Sequence, residues 1–229
     1  AHFVILADYV TTSDGTGLVH QAPAFGADDL VSCRSYGLPV VNPLRPDGTF
    51  EASVGLVGGL FFKTADKEIA SRFGLMPSFM ARWNAQLPGC GCHSHQSLWA
   101  DDRNVFFDDA DPLKMSAVFR SYVGGLLLAL PEVLPFLAPT VNSYKRLVEG
   151  FWAPTRPTWG VDNRTVAFRV IAGSPKSTRV EVRVAGADVN PYLAIAATLA
   201  AGLYGIEKGW AVADPPLPGN AYRESRRQH

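Results

Sequence analysis

Cysteine is nearly absent. The three present in 229 residues are too few, and odd in number, for a disulfide framework, so reduced thiols are expected. An excess of one charge is lacking too: 21 Lys and Arg balance 21 Asp and Glu, which gives no support to nonspecific nucleic-acid binding. No apolar run approaches the roughly 18 residues that span a bilayer. The first residues lack the charged and apolar regions of a signal peptide. These absences predict a cytoplasmic chain without a membrane partner. Internal repeats and low-complexity tracts are missing as well.

What is present is ordinary for a globular protein: 47% apolar and 18% charged residues, on a length that can bury one sizeable core or two small ones. The charge is uneven. Residues 1–60 carry two Arg against six acids, a net of −4, and residues 61–229 carry nineteen basic against fifteen acidic, a net of +4. The end of the chain, 215–229, with Arg223 to Arg227, reads as a solvated basic tail.

Up to about residue 60, short apolar runs are broken by turn signals at Asp14-Gly15, Asn42-Pro43 and Asp47-Gly48, the pattern of strands in a small β-rich unit. From Phe61 the texture changes. Lys63 to Arg72 has helical spacing, and Asp111-Pro112 is placed to start a longer helix through Leu130. Asn190-Pro191 repeats that start signal before an Ala/Leu-rich helix closing near Gly209. Two alternating strands, Thr165 to Ile171 and Ser177 to Val184, lie between. In the second, Val180, Val182 and Val184 share one face and Arg179, Glu181 and Arg183 the other. Such a charged face is either a solvated outer surface or the floor of a site, where a carboxylate holds a metal and guanidinium groups hold anionic oxygens. Arg164 and Arg169 add cations to the same region, which favours an anion among them.

The stretch Cys90-Gly-Cys-His-Ser-His-Gln-Ser-Leu98 has the letters of a zinc site. Placed on a strand, it presents His93, His95 and Ser97 on one face and Cys90 and Cys92 on the other, so four tetrahedral ligands cannot converge. Two histidines on a polar sheet face, or a metal-binding imidazole beside phosphate-facing groups, both fit the alternation.

"GLMPSFMARWNAQLPGCGCHSHQSLW", "LAPTVNSYKRLVEGFWAPTRPTWGVDNRTVAFRVI", "GSPKSTRVEVRV" and "GADVNPYLAIAATLAAGLYGIEKG" closely resemble the C-terminal part of the glutamine synthetase catalytic domain, in the family's order, from about residue 62 to 210. The resemblance implies an α+β fold, an antiparallel sheet backed by helices, preceded here by the small β-rich fragment. It implies ATP-dependent ligation, in which glutamate is phosphorylated on its side-chain carboxylate and ammonia or an amine displaces phosphate, with Mg2+ or Mn2+ and a homo-oligomeric ring. By motif position His93 and Glu181 are metal ligands. His95, Ser97 and Lys176 belong to the ATP site, and Arg146, Arg164, Arg169 and Arg183 hold glutamate or the transferring phosphoryl group, electrostatic work suited to fixed cations. Gly89 and Trp152 fall at the substrate pocket. Trp152 stands where the family carries an acidic residue beside the ammonium pocket, and an aromatic face there suits a bulkier amine.

The other end resembles a different family. "VILADYVTTSDGTGLVHQAPAFGADDL" and "YGLPVVNPLRPDGTF" are similar to part of the editing domain of isoleucyl-tRNA synthetase, which hydrolyses mischarged valyl-tRNA. That resemblance gives Asp29 the grip on the substrate's α-amino group, makes His20 a shaper of the amino-acid pocket, and implies tRNA as a partner. Asp28 and Asp29 also suit a helix N-terminus. The boundary falls between residues 62 and 63, inside "FFKTADKEI", a segment similar to both families. Lys114-Met115-Ser116 superficially resembles a synthetase nucleotide signature but lacks its following Lys-Ser, and reads as chance. Neither match is complete: the editing domain's Thr-rich strand and the ligase's other metal-binding glutamates are not found, so a catalytically silent chimera is a third expectation.

Overall fold

The computed structural model describes residues 4–7, 10, 18–24 and 26–223, and the chain divides into two compact units, Ala1–Pro77 and Ser78–His229. In the first unit, α1 (Ala27–Ser35) and α2 (Phe62–Arg72) flank an irregular segment. α2 lies where helical spacing places it and buries Ala65. The expected β-rich character is corrected: among the described residues this unit has only isolated bridges, Leu44 with Phe50 and Thr49 with Phe61. The turn signal at Asp47-Gly48 does make a turn, with Asp47 Oδ1 accepting from Thr49 N at 2.9 Å and Gly48 at a φ of 80°. No ladder grows from it because Pro39, Pro43 and Pro46 remove backbone donors within a few residues. The Asp14-Gly15 signal lies outside the described residues.

The second unit holds β1 (Ser94–Gln96), β2 (Trp99–Ala100), β3 (Arg103–Asn104), α3 (Ala117–Leu137), α4 (Val141–Arg146), β4 (Trp159–Val161), β5 (Phe168–Ile171), β6 (Arg179–Val182) and α5 (Pro191–Lys208). A four-stranded sheet runs in the order β1-β6-β5-β4. It is antiparallel except at β4, which pairs parallel to β5 over three residues. Alternation sets its two faces as expected: Phe168, Val170, Val180 and Val182 are buried in one core with Phe119, Tyr122, Val123 and Leu126 of α3.

α3 starts later than expected. Asp111 does not cap it. Its Oδ1 closes a turn by accepting from Leu113 N at 2.9 Å and Met115 N at 3.2 Å, and Ser116 caps the helix, accepting from Phe119 N at 3.1 Å. Local polarity at Asp-Pro marked a turn rather than a helix end. The helix then runs to Leu137 past Pro131 and Pro135, and by length and composition it is long and apolar enough to cross a bilayer, although no uninterrupted apolar run in it reaches that length. Its buried face is the core just described, packed along α5. The two helices approach closely where Gly125 meets Gly205: a Cβ on Gly205 would lie 2.6 Å from the Gly125 Cα. α5 begins and ends as expected, with Asn190 accepting from Tyr192 N at 3.0 Å and Gly209 left-handed at a φ of 63°.

The segment after α5 corrects the expected solvated tail over part of its length. Trp159 Nε1 donates to Asp214 O at 3.0 Å, Leu217 N to Trp159 O at 3.0 Å and Ala221 N to Thr165 Oγ1 at 2.9 Å, so this stretch lies along the β4 edge of the sheet. Residues 224–229 lie outside the described residues.

Candidate functional site

The outer face of the sheet carries a lateral row fixed by register: His95 on β1 pairs with Glu181 on β6, which pairs with Arg169 on β5, which pairs with Gly160 on β4. One carboxylate anchors the group. Glu181 Oε1 accepts from Arg183 Nη1 at 2.9 Å and His93 Nδ1 at 3.0 Å, and His95 Nε2 stands 3.9 Å away. Glu181 Oε2 accepts from Arg169 Nη1 at 3.1 Å, and Arg169 Nη2 reaches Asp162 Oδ1 at 3.0 Å. Glu181 and Arg183 are 4% and 5% exposed, so the centre of this face is shielded from solvent, while His93, His95 and Asp162 around it are exposed. Burial pushes the Glu181 carboxyl up, but the His93 hydrogen bond and the Arg183 and Arg169 charges outweigh it and hold it far below the usual carboxylate range.

His95 accepts from Arg179 Nε on its Nδ1 at 3.0 Å. Burial pushes its imidazole toward the neutral form against the pull of Glu181, with Arg179 and Arg169 adding to the effect. Alternation places Arg179 on this face, and no motif marks it as a site residue. Its side chain is what orients His95.

Arg146, at the end of α4, is buried and gives Nη1 to Val184 O at 2.8 Å and Nη2 to Arg183 O at 3.2 Å. Gly89 and Gly91 pack on it: a Cβ on Gly89 would meet Arg146 Cγ at 2.8 Å, and one on Gly91 would meet Arg146 Nη2 at 2.6 Å and His93 Nε2 at 3.0 Å. Those two glycines let the chain pass over a guanidinium. Arg146 thus braces the end of β6 under the row, its described donors spent on backbone.

The remaining residues are more dispersed. Ser97 Oγ accepts from Trp99 Nε1 at 2.9 Å, Lys176 is exposed on the turn before β6, and Arg164 is exposed beyond β4. The expected strand is shorter than the Cys-His stretch, covering only Ser94–Gln96: Cys92 packs against the core while His93 and His95 meet Glu181, as alternation expects, but Cys90 is exposed and lies outside the strand. Trp152 is 48% exposed and has a left-handed φ of 61° in the Gly150–Pro154 turn. Arg82 lies over the neighbouring Phe151 ring at 4.4 Å.

The donors suit an anion better than a cation. The Nε groups of Arg169 and Arg183 are buried without hydrogen-bond partners, and a buried N–H of this kind calls for an acceptor such as a phosphate or carboxylate oxygen. Among the described residues no group of three or more His, Cys, Asp or Glu side chains gathers to hold a metal ion. His93 and Glu181 are two donors where Mg2+ takes about six ligands, and arginines already occupy both Glu181 oxygens, so the described residues do not fit a divalent cation by themselves.

In the first unit, His20 lines a cavity of about 600 Å3 with Val4, Ile5, Leu18, Cys33 and Leu38. Asp29 does not line it, and its Oδ2 accepts from Ala22 N at 2.9 Å. The N-cap of α1 is Gly26, without a side-chain capping bond.

Comparison with known proteins adds lineage to this geometry. A family profile described as glutamine synthetase, catalytic domain, matches residues 59–229. The chain is 48% identical over 206 residues to type-1 glutamine synthetase 2 of Dictyostelium discoideum, covering 85% of this chain and 39% of the relative. It is 48% identical over 162 residues to the gamma-glutamylethanolamide synthetase of Streptomyces coelicolor, covering 70% and 34%. It is also 74% identical over 69 residues to the isoleucine–tRNA ligase of the same organism, covering 30% of this chain and 7% of the relative. The chain therefore spans little more than a third of its ligase relatives.

Proposed function

The chain belongs to the glutamine synthetase family, and on that premise we propose that its second unit carries part of the site of an ATP-dependent ligase joining glutamate to ammonia or an amine through a γ-glutamyl phosphate. The observation that carries this reading is the pair of buried, unpartnered Nε donors on Arg169, the cross-strand partner of Glu181, and on Arg183, which is ion-paired to Glu181. In this reading Arg164, Arg169 and Arg183 neutralise the γ-carboxylate of glutamate and the transferring phosphoryl group, Arg146 braces Arg183 from below, and His95, Ser97 and Lys176 face ATP. His93 and Glu181 would be this chain's described donors to Mg2+ or Mn2+, but with both Glu181 oxygens already held by arginines they do not fit such an ion by themselves. Two donors hold such an ion weakly, so the described residues turn over little substrate by themselves. Trp152 favours an organic amine over ammonia, in keeping with the Streptomyces relative named for an ethanolamide product.

The test is a thermal melt of the full chain with and without ATP and Mn2+, followed by glutamate-dependent phosphate release with ammonia and short alkylamines. Saturation at 100 times Kd stabilises by about 2.7 kcal/mol, which raises Tm by roughly 5–11 °C at this size. An unmoved transition overturns the reading. Turnover comparable with a whole ligase overturns the proposed impairment.

A second reading rests on the first unit: the cavity beside His20, in a chain with close similarity to an isoleucine–tRNA ligase, favours an origin in aminoacyl-tRNA editing and a fusion of two lineages. Deacylation of valyl-tRNA for isoleucine by the full chain tests for surviving activity. No acceleration leaves the unit catalytically silent.

A further inference from the structure

The Gly150–Pro154 turn is under strain. Trp152 is a bulky residue at a φ of 61°, a conformation that persists only where the surroundings over-determine it. Two contacts do so. Arg82 lies over the Phe151 ring on one side of Trp152, and on the other the Tyr222 hydroxyl donates to the Ala153 carbonyl at 3.0 Å. Ala153 is 1% exposed, so little water can replace that bond.

Tyr222 arrives from 69 residues away, and its approach is built. The chain after α5 is tied to β4 and its loop through Asp214, Leu217 and Ala221. Asn163 Nδ2 adds bonds to Leu217 O at 3.0 Å and Gly219 O at 2.7 Å, and Tyr222 N donates to Asn220 Oδ1 at 2.9 Å. The half-buried phenol also lies in electrostatic range of the Arg183 and Arg146 guanidinium groups and of Glu149. The segment thus ends where the strained turn meets the arginine face.

We propose that Tyr222 is a positioning residue of the ligase-like site: through the Ala153 carbonyl it holds the Gly150–Pro154 turn, and with it Trp152, in the conformation that admits the amine. The proposal rests on the ligase reading for the amine and on geometry alone for the clamp. A phenol is suited to the role because its ring is partly buried while its O–H still reaches a backbone acceptor.

Tyr222→Phe removes one oxygen and keeps the ring. In the full chain, hydrogen exchange at the amides of Phe151, Trp152 and Ala153 should accelerate about tenfold, the factor for one lost buried hydrogen bond, with β5 and β6 unchanged. Thr165→Val, which releases Ala221, should loosen the same amides. The concentration of n-propylammonium giving half-maximal thermal stabilisation should rise about tenfold in Tyr222→Phe, with that for ATP unmoved. Unchanged exchange in the turn overturns the clamp. An equal loss for ATP and amine, or faster exchange throughout the sheet, reduces Tyr222 to a general structural role and overturns positioning. A wild-type chain that responds to neither ligand refutes the ligase reading and the amine role together, while exchange still decides the clamp.

Discussion

Arg183 Nη1 donates to Glu181 Oε1 at 2.9 Å, with each side chain only 6% exposed, from the residue that follows the end of β6 back onto the strand. Glu181 is shared: Arg169 and His93 hold it as well. Its removal leaves the buried Arg183 guanidinium without its counter-charge and Arg169 with only the exposed Asp162, the costly way to break a buried pair.

Glu181→Ala should therefore destabilise the second unit by about 3–5 kcal/mol, read as a lower denaturant midpoint at unchanged slope. Adding phosphate or sulfate should recover part of the loss, because an anion can replace the carboxylate between the arginines. A loss of under about 1 kcal/mol would mean that the carboxylate does not organise this face.

Asp111 gives the chain an acid-sensitive joint before α3. Burial pushes its carboxyl up, but the two-pronged contact from Arg120, at 3.0 and 2.8 Å, and the Met115 and Leu113 backbone N–H groups hold it below the ordinary range. A depressed folded pKa means that the stability it contributes is complete above the unfolded value of 3.8 and is lost as pH falls through the folded value. Asp111→Asn should lower stability at neutral pH and make the decline below pH 3.8 shallower, in urea midpoints measured against pH. An equally steep acid limb in the variant would contradict this assignment.

Behind the sheet, Tyr122 OH donates to Gln96 Oε1 at 2.7 Å and Gln96 Nε2 donates to Thr198 Oγ1 at 2.7 Å, a relay tying β1 to α3 and α5. Tyr122→Phe should cost about 1–2 kcal/mol. A double-mutant cycle with Thr198→Val should show coupling of at least about 0.5 kcal/mol, since both partners orient one amide. Strict additivity would mean that the two bonds act independently.

The α3–α5 contact depends on the absence of side chains. Gly205→Ala places a methyl against Ser121 O and the Gly125 backbone, and neither can move without its helix, so a loss of about 1–3 kcal/mol is expected. Gly209→Ala tests a different cost at the helix end, about 1 kcal/mol for a left-handed φ of 63° in open space. Calorimetry should rank Gly205→Ala as the more damaging of the two.

Some of this architecture is local and was legible in the letters. Alternation in Arg179–Val184 sorted the valines into the core and the charges onto the outer face, because strand geometry alone sends neighbours to opposite sides. Asn190-Pro191 and Gly209 bounded α5 because capping is satisfied within a turn of chain. Motif resemblance named the histidines, the glutamate and most of the arginines. Tertiary structure decided the rest. Asp111 looked like a helix start, but a turn and Arg120 claimed its oxygens first. A proline-rich segment that looked like strands stayed irregular because its backbone lacks donors. The bond from Arg179 to His95 spans 84 residues and that from Tyr222 to Ala153 spans 69. No window of sequence contains both ends of either bond, so the residues that orient His95 and clamp the Trp152 turn became visible only when packing brought distant strands, loops and the end of the chain to one place.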